Sequence, residues 1–468
     1  MKLNIAIILA MLTLTSACQE YPWQQNDQQS QEKPIVEPTP TPTITSIQPL
    51  EADNSQDSTL VNLGQILKGV NLPSDRKGKG QGIRIAILDQ GFSGLENSLG
   101  KRLPPHIKVE DESATNVLAE STHGTKLAEL VYAVATGSIN YDEDIQGPEI
   151  FLFNANGFPN LVTAIDGAIK KNVDIILYAQ VWEFGGNRDG KGFINAEVNR
   201  AIDAGILWVN ASGNYGKSAY TAKVELNKRK DGLVLPFQEK YLRLSVPRDG
   251  TQVKISLAWN DFKEDIKYRT AQDLNLYLED ETGTVIKSME QIQDGLTHEK
   301  SDGYSAHARE VFTIILNAGV YHLRVGAKSD NFTDESKFWI SADGANVAFL
   351  DVKHSDSLFI PNDNPRVLAV GASDVDYSSY RADENGKILK PQVKTVSRVN
   401  FDSGESYSGT SAASAIAVGQ LAAVMSEKGH MSFDTVVNFI ECGKLSQKVK
   451  LNSSRAEFLP GVPLLGVN

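Results

Sequence analysis

The sequence predicts an α/β protein: a parallel sheet with helices on both faces, interrupted by an inserted antiparallel β-sandwich. Three observations lead there. Short apolar runs alternate with helix-period segments from Gly82 onward and again before the C-terminal end, the pattern of strands and crossover helices. Residues 219–351 switch to alternating apolar and polar positions broken by turn residues, the pattern of an antiparallel sandwich. The chain has 468 residues, 41% of them hydrophobic, which suits more than one packed domain. Forty-six Lys and Arg stand against 58 Asp and Glu, a net charge of −12. That sign is wrong for a phosphate backbone, so nucleic acid is excluded as a partner.

In chain order, Lys2 is followed by an uncharged run from Ile5 to Leu14 and then by Thr15, Ser16, Ala17 and Cys18. A charged start, a short apolar stretch and small residues at the end make residues 1–17 a secretory signal peptide. The run is too short to cross a bilayer core of about 30 Å as a helix. Cys18 after the small residues resembles a bacterial lipobox, with Thr15 where Leu is usual. The resemblance implies lipidation of Cys18, palmitate among the acyl groups, and anchoring to the membrane of a bacterial cell envelope. Gln19 is compatible with the outer membrane if the organism has two. Stable anchoring takes two lipid signals. Residues 18–58, rich in Gln, Pro, Thr and Ser, cannot bury enough apolar surface to offset ordering. They read as a disordered tether reaching on the order of 100 Å. The two cysteines, Cys18 and Cys442, form no disulfide framework.

Folded sequence begins near Thr59. GIRIAILDQGF reads as a buried parallel strand with Asp89 at its carboxyl end; alone, Asp89 reads rather as a turn former before Gly91. STHGTKLAELVYAV has Leu127, Leu130, Val131 and Val134 at helical spacing, with His123 just ahead and Gly124 and Thr125 small enough for another backbone to approach. EIFLFNA, LVTAIDGAIKK, VDIILYAQV, AEVNRAIDAG and ILWVNASGN continue the alternation. In SGTSAASAIAVGQLAAVMSEKG, Ser411 opens a helix of small and apolar residues that must be deeply buried. By itself Ser411 is a helix cap; at a helix N-terminus it also sits where free amides stabilise negative charge.

Asp89, His123, Asn214 and Ser411, in that order, resemble the catalytic set of the subtilisin-like serine peptidases. KGQGIRIAILDQG is similar to the family's Asp block, THGTKLAE to its His block, ILWVNASGN to its Asn block and SGTSAASAIAVG to its Ser block. PRVLAVGASD and SSYRADENGKILKP resemble the connecting segments. The resemblance implies a serine-type endopeptidase, a hydrolase acting on protein or peptide substrates. In it Ser411 attacks, His123 moves the proton, Asp89 orients His123, and the Asn214 side chain and Ser411 amide hold the oxyanion. Gln90, Lys126 and Ala415 depart from the family's usual Ser or Thr, His and Pro. DIILYAQVWEFGG occupies the place of the family's Ser-Leu-Gly substrate strand, which makes Tyr178, Gln180 and Trp182 candidates for substrate binding, or equally for strand and turn packing.

The catalytic domain is therefore expected in two parts, 59–218 and 352–468, around the insert at 219–351. The insert resembles jelly-roll-like domains that accompany secreted bacterial peptidases. No cofactor is required by this chemistry. Calcium is the one metal considered, through Asp261, Asp273 and Asp280, although surface turns in an acidic chain account for the same residues because they form no compact ligand loop. The stretch before KGQGIRIAILD is too short for a folded propeptide. A different reading keeps the fold but makes the chain a catalytically weak or inactive lipoprotein that binds a partner. An esterase of α/β-hydrolase type is disfavoured, since GTSAA lacks the elbow glycine after its serine.

Overall fold

The computed structural model describes residues 61–62, 76–110, 113–115, 118–226, 233–234, 241–296, 303–350, 352, 355–400 and 406–441. The expected signal peptide, Cys18, the tether and Cys442 lie outside these residues.

The first layer is a parallel sheet. Its strands are β1 (Arg84–Asp89), β2 (Glu149–Asn154), β3 (Ile175–Tyr178), β4 (Leu207–Ala211), β14 (Leu368–Ala372) and β15 (Val393–Thr395), ordered β15-β14-β4-β3-β1-β2 with every pairing parallel. Each strand is a near-continuous apolar run because both faces are covered. Ile85 and Ile87 of β1 join the core beneath α1 (His123–Thr136) and α4 (Thr410–Lys428). Ala86 and Leu88, pointing the other way, join the core beneath α2 (Phe158–Lys170) and α3 (Phe193–Asp203). Helix α4 is buried around its whole circumference from Thr410 to Ala423, as a helix without a polar face must be. It lies tightly on α1: a Cβ on Gly419 would come within 2.8 Å of the Val131 carbonyl oxygen.

The second layer is the insert. One antiparallel sheet is ordered β9-β8-β11-β6-β13 and the other β10-β7-β12-β5. The strands are β5 (Ala219–Lys223), β6 (Leu242–Val246), β7 (Thr251–Trp259), β8 (Leu274–Glu279), β9 (Val285–Met289), β10 (Arg309–Leu316), β11 (Gly319–Ala327), β12 (Lys337–Asp343) and β13 (Ala348–Phe349). The expected alternation is present: Leu274, Leu276 and Leu278, like Val253, Ile255 and Leu257, are fully buried. The protein is thus an α/β structure, a parallel sheet with helices on both faces, with an additional antiparallel β portion.

The two layers share an apolar core. Trp208, Tyr178 and Phe193 belong to the same buried cluster as Trp259, Phe338 and Trp339 of the insert. Phe193 meets Phe262 with ring centroids 6.0 Å apart, and Arg309 lies over the Phe184 ring at 3.9 Å. Among the described residues, no helix is long and apolar enough to cross a membrane.

Candidate active site

The carboxyl ends of β1, β3 and β4 and the N-termini of α1 and α4 meet at one edge of the sheet. Asp89, the last residue of β1, is 1% exposed. Its Oδ1 accepts the amides of Gln90 at 2.8 Å and Gly91 at 3.2 Å, so the turn after the strand fixes the carboxylate. Its Oδ2 lies 2.6 Å from Nδ1 of His123. That pairing fixes the imidazole tautomer, with the proton on Nδ1 and Nε2 left as the base.

His123 is the first residue of α1. The next residue brings this helix against the turn after β1: the Gly124 amide donates to the Gly91 carbonyl at 3.0 Å. A Cβ at Gly124 would stand 2.4 Å from the Phe92 ring and 2.7 Å from the Gly91 carbonyl oxygen. The small residue after His123 is therefore what lets the imidazole reach Asp89. The far side of the imidazole is covered by Tyr407, whose ring meets it edge-on with centroids 5.6 Å apart.

Ser411 lies in the first turn of α4, with Gly409 as the residue before the helix. The first intrahelical bond runs from the Ala413 amide to the Gly409 carbonyl at 3.2 Å, so the preceding amides have no partner within the helix. Ser411 is buried, and its hydroxyl donates to the Ala179 carbonyl at 3.3 Å. It thus faces the end of β3 in this arrangement, rather than bonding to His123.

Asn214 is exposed and follows β4. Its Oδ1 accepts both the amide and the hydroxyl of Thr410 at 3.1 Å, so the acceptor end of the side chain is engaged at the residue before Ser411. Gly409 has φ +94°, and a Cβ there would lie 3.2 Å from the Asn214 amide. Only glycine suits that position on both counts. Loop and helix are thereby locked together next to the serine.

Of the three substrate-strand residues, Gln180 and Trp182 are partly exposed. Gln180 Oε1 accepts from Gln90 Nε2 at 3.2 Å, so two departures from the family pattern touch each other. Tyr178 corrects the expectation: it is 1% exposed, packed edge-on against Trp208, and accepts the Trp182 indole N–H at 2.7 Å. A parallel strand covered on both faces has no side that presents a residue to a substrate until it leaves the sheet. The carboxylates considered for calcium are not gathered either. Asp261 Oδ2 accepts the Thr270 hydroxyl at 2.6 Å, Asp273 accepts the Gln293 amide at 3.4 Å, and Asp280 closes its own turn with the Thr282 amide at 2.9 Å. Among the described residues no group of three or more His, Cys, Asp or Glu side chains could hold a metal ion.

The sequence reading missed Tyr407 and the Ala179 carbonyl. Tyr407 stands four positions before Ser411 and was open to notice as an aromatic beside the serine block. A backbone acceptor leaves no mark in a sequence.

Residues 80–235 match the subtilase family. The matched segment contains Asp89, His123 and Asn214, while Ser411 lies beyond it. The structure of the Clostridium perfringens CspB protease is similar to this chain with a TM-score of 0.51 at 15% identity, covering 86% of this chain and 96% of that one. This likeness is one of fold and takes in most of the chain. The structure of a cold adapted subtilisin-like serine proteinase matches with a TM-score of 0.40 at 11% identity, covering 87% of this chain and 98% of that one. No curated protein sequence matches the chain.

Proposed function

We propose that the chain is a serine endopeptidase of subtilisin type that cleaves peptide bonds in protein or peptide substrates through an acyl-enzyme. What chiefly supports this reading is the 2.6 Å pairing of His123 Nδ1 with Asp89 Oδ2 at a strand end, beside a serine in the first turn of a buried helix. In the proposed reaction the Ser411 hydroxyl turns from the Ala179 carbonyl toward His123. Oγ adds to the scissile carbonyl as Nε2 takes its proton, and Asp89 stabilises the resulting imidazolium. The carbonyl oxygen becomes anionic and is met by Asn214 Nδ2 and the Ser411 amide. His123 returns the proton to the leaving amine, and water then releases the acyl group by the same steps.

The reading divides the chain into a catalytic domain at 59–218 and 352–468 and an inserted sandwich at 219–351, held to a bacterial cell envelope by lipid on Cys18 and the 18–58 tether. One observation favours the second reading, a binding lipoprotein of low or no activity: the Ser411 hydroxyl bonds to Ala179 rather than to His123. A fluorophosphonate probe separates the two, since it reacts only with an activated serine. The full chain should be labelled and Ser411→Ala should not. A folded parent that stays unlabelled establishes the binding reading instead. Anchoring is tested by feeding a fatty-acid analogue, whose incorporation should vanish in Cys18→Ser; persistence there removes the lipid anchor.

A further inference from the structure

Between the insert and the candidate active site lies a small polar cluster, apart from the contacts that Asn187 makes with Phe262 and Arg188 with Thr221 elsewhere along the boundary. Glu183, one residue past Trp182, is 5% exposed. Its carboxylate meets the Lys254 ammonium of β7 at 2.5 Å and accepts the Tyr215 hydroxyl at 2.9 Å. Its main-chain carbonyl accepts the Trp339 indole N–H of β12 at 2.5 Å. Asp343, also from β12, faces both the ammonium and the Tyr215 hydroxyl. The two residues held from the insert are neighbours of the site. Glu183 follows the segment that carries Ala179 and Gln180, and Tyr215 follows Asn214.

We propose that Lys254 is a positioning residue: from the insert it holds Glu183 and, through it, the Tyr215 hydroxyl, fixing the spacing between the substrate edge at 179–182 and the Asn214 loop on either side of Ser411. This rests on the peptidase reading for its kinetic consequence, but not for its structural one. The cluster is suited to the task because its members come from separate elements. Glu183 extends from the end of β3, Tyr215 from the loop after β4, and Lys254 and Trp339 from two insert strands. Their remaining contacts hold each segment to something else: the Trp182 amide donates to the Ile360 carbonyl at 2.8 Å, and the Tyr215 amide donates to the Ser379 hydroxyl at 2.9 Å. The hydroxyl–carboxylate contact between Tyr215 and Glu183 joins edge to loop directly, beside the Asn210 side chain of β4, which donates to the Gln180 carbonyl at 2.9 Å. Burial pushes the Glu183 carboxyl up, yet the Lys254 ammonium holds it below its ordinary value. Without that charge the buried carboxylate would lose its ion-pair partner, which is costly enough to displace it.

The test compares the full chain with Lys254→Met and Lys254→Arg by amide hydrogen exchange and by steady-state cleavage of a fluorogenic peptide. In Lys254→Met, exchange should rise at least tenfold in 179–184 and 213–216 and not in α1 or β1, and kcat should fall at least tenfold with a smaller change in KM. Lys254→Arg should restore most of both. If Lys254→Met does not fold, the double variant Lys254→Met with Glu183→Gln removes the stranded charge and serves the same comparison. Exchange unchanged in both segments, or raised uniformly over the molecule, overturns the proposal. A parent silent toward peptide and fluorophosphonate overturns the peptidase reading alone, and the exchange measurement still decides the role of Lys254.

Discussion

Glu310 gives a prediction whose size can be worked from its surroundings. It lies on β10, paired across the sheet with Leu257, and is 0% exposed. Oε1 accepts the Gln291 amide at 3.0 Å and the Gln293 side-chain amide at 2.9 Å. Oε2 is buried and has no acceptor or donor contact among the described residues. Burial, with a smaller push from the Asp273 carboxylate, raises this carboxyl to about 8. A free Glu titrates near 4.3. Between those values the folded chain keeps a proton that the unfolded chain has released, so stability falls as pH rises through the window. A gap of about 3.7 units at about 1.36 kcal/mol each sets an upper scale of about 5 kcal/mol. Asp273, pushed up chiefly by burial, acts in the same direction. Glu310→Gln keeps the shape and supplies a donor where the protonated Oε2 has one, but cannot ionise. Urea melts of parent and variant at pH 5, 6.5 and 8.5 should show the variant gaining about 3–5 kcal/mol on the parent across that range. A difference that does not change with pH would refute the claim that Glu310 is buried as a neutral acid.

The remaining predictions concern the site and its supports. Asn214→Ala should lower kcat by about 10²–10³ with little change in KM, measured by steady-state peptide cleavage; an unchanged kcat removes Asn214 from oxyanion binding. Gly124→Ala drives a methyl into Phe92 and the Gly91 carbonyl, so it should lose about 1–3 kcal/mol in urea melts and slow fluorophosphonate labelling; normal stability and labelling would show that this close approach does not place His123. Trp339→Phe keeps the ring packing but leaves the Glu183 carbonyl without its indole donor, for a loss of about 1–3 kcal/mol, and melts indistinguishable from the parent would contradict a partnership across the boundary.

How much of this was legible in the sequence follows from the distance over which each feature is encoded. Asp89, His123 and Asn214 each sit at the end of an element whose apolar periodicity is local, so their places at one sheet edge could be read before any coordinates. The antiparallel strands were equally visible, because runs such as QVKISLAW write their two faces in alternate letters. Tyr178 was misplaced for the converse reason: IILY is apolar throughout, and a strand buried on both sides carries no alternation that says which way its last residue points. The Lys254–Glu183 pair was illegible in another way. Lys254 reads as one more polar residue on an alternating strand, and only the docking of the insert turns it toward a carboxylate far away in the chain.

The point of insertion explains why such a docking contact should matter to the site. The chain leaves the parallel sheet at β4, passes Asn214 and enters β5 almost at once; it returns at β14, which pairs directly with β4. The insert's two connections therefore emerge side by side, and by themselves they would leave it free to swing on the very loop that carries Asn214. Apolar contacts such as Phe193 against Phe262 remove most of that freedom, since they account for area taken from water. They are not directional, and they would tolerate small shifts of one layer over the other. Hydrogen bonds from Trp339 and Tyr215 and the ion pair from Lys254 accept one register only. An ion pair with Glu183 buried and the Lys254 side chain 34% exposed adds little net stability, because desolvation of the carboxylate offsets the attraction, so its contribution here is geometric. It follows that replacing Lys254 and Glu183 together by apolar residues of similar size should leave the unfolding midpoint nearly unchanged while kcat falls. A double variant that melts like the parent and cleaves like the parent would show that the Lys254–Glu183 pair does not set the Asn214 loop.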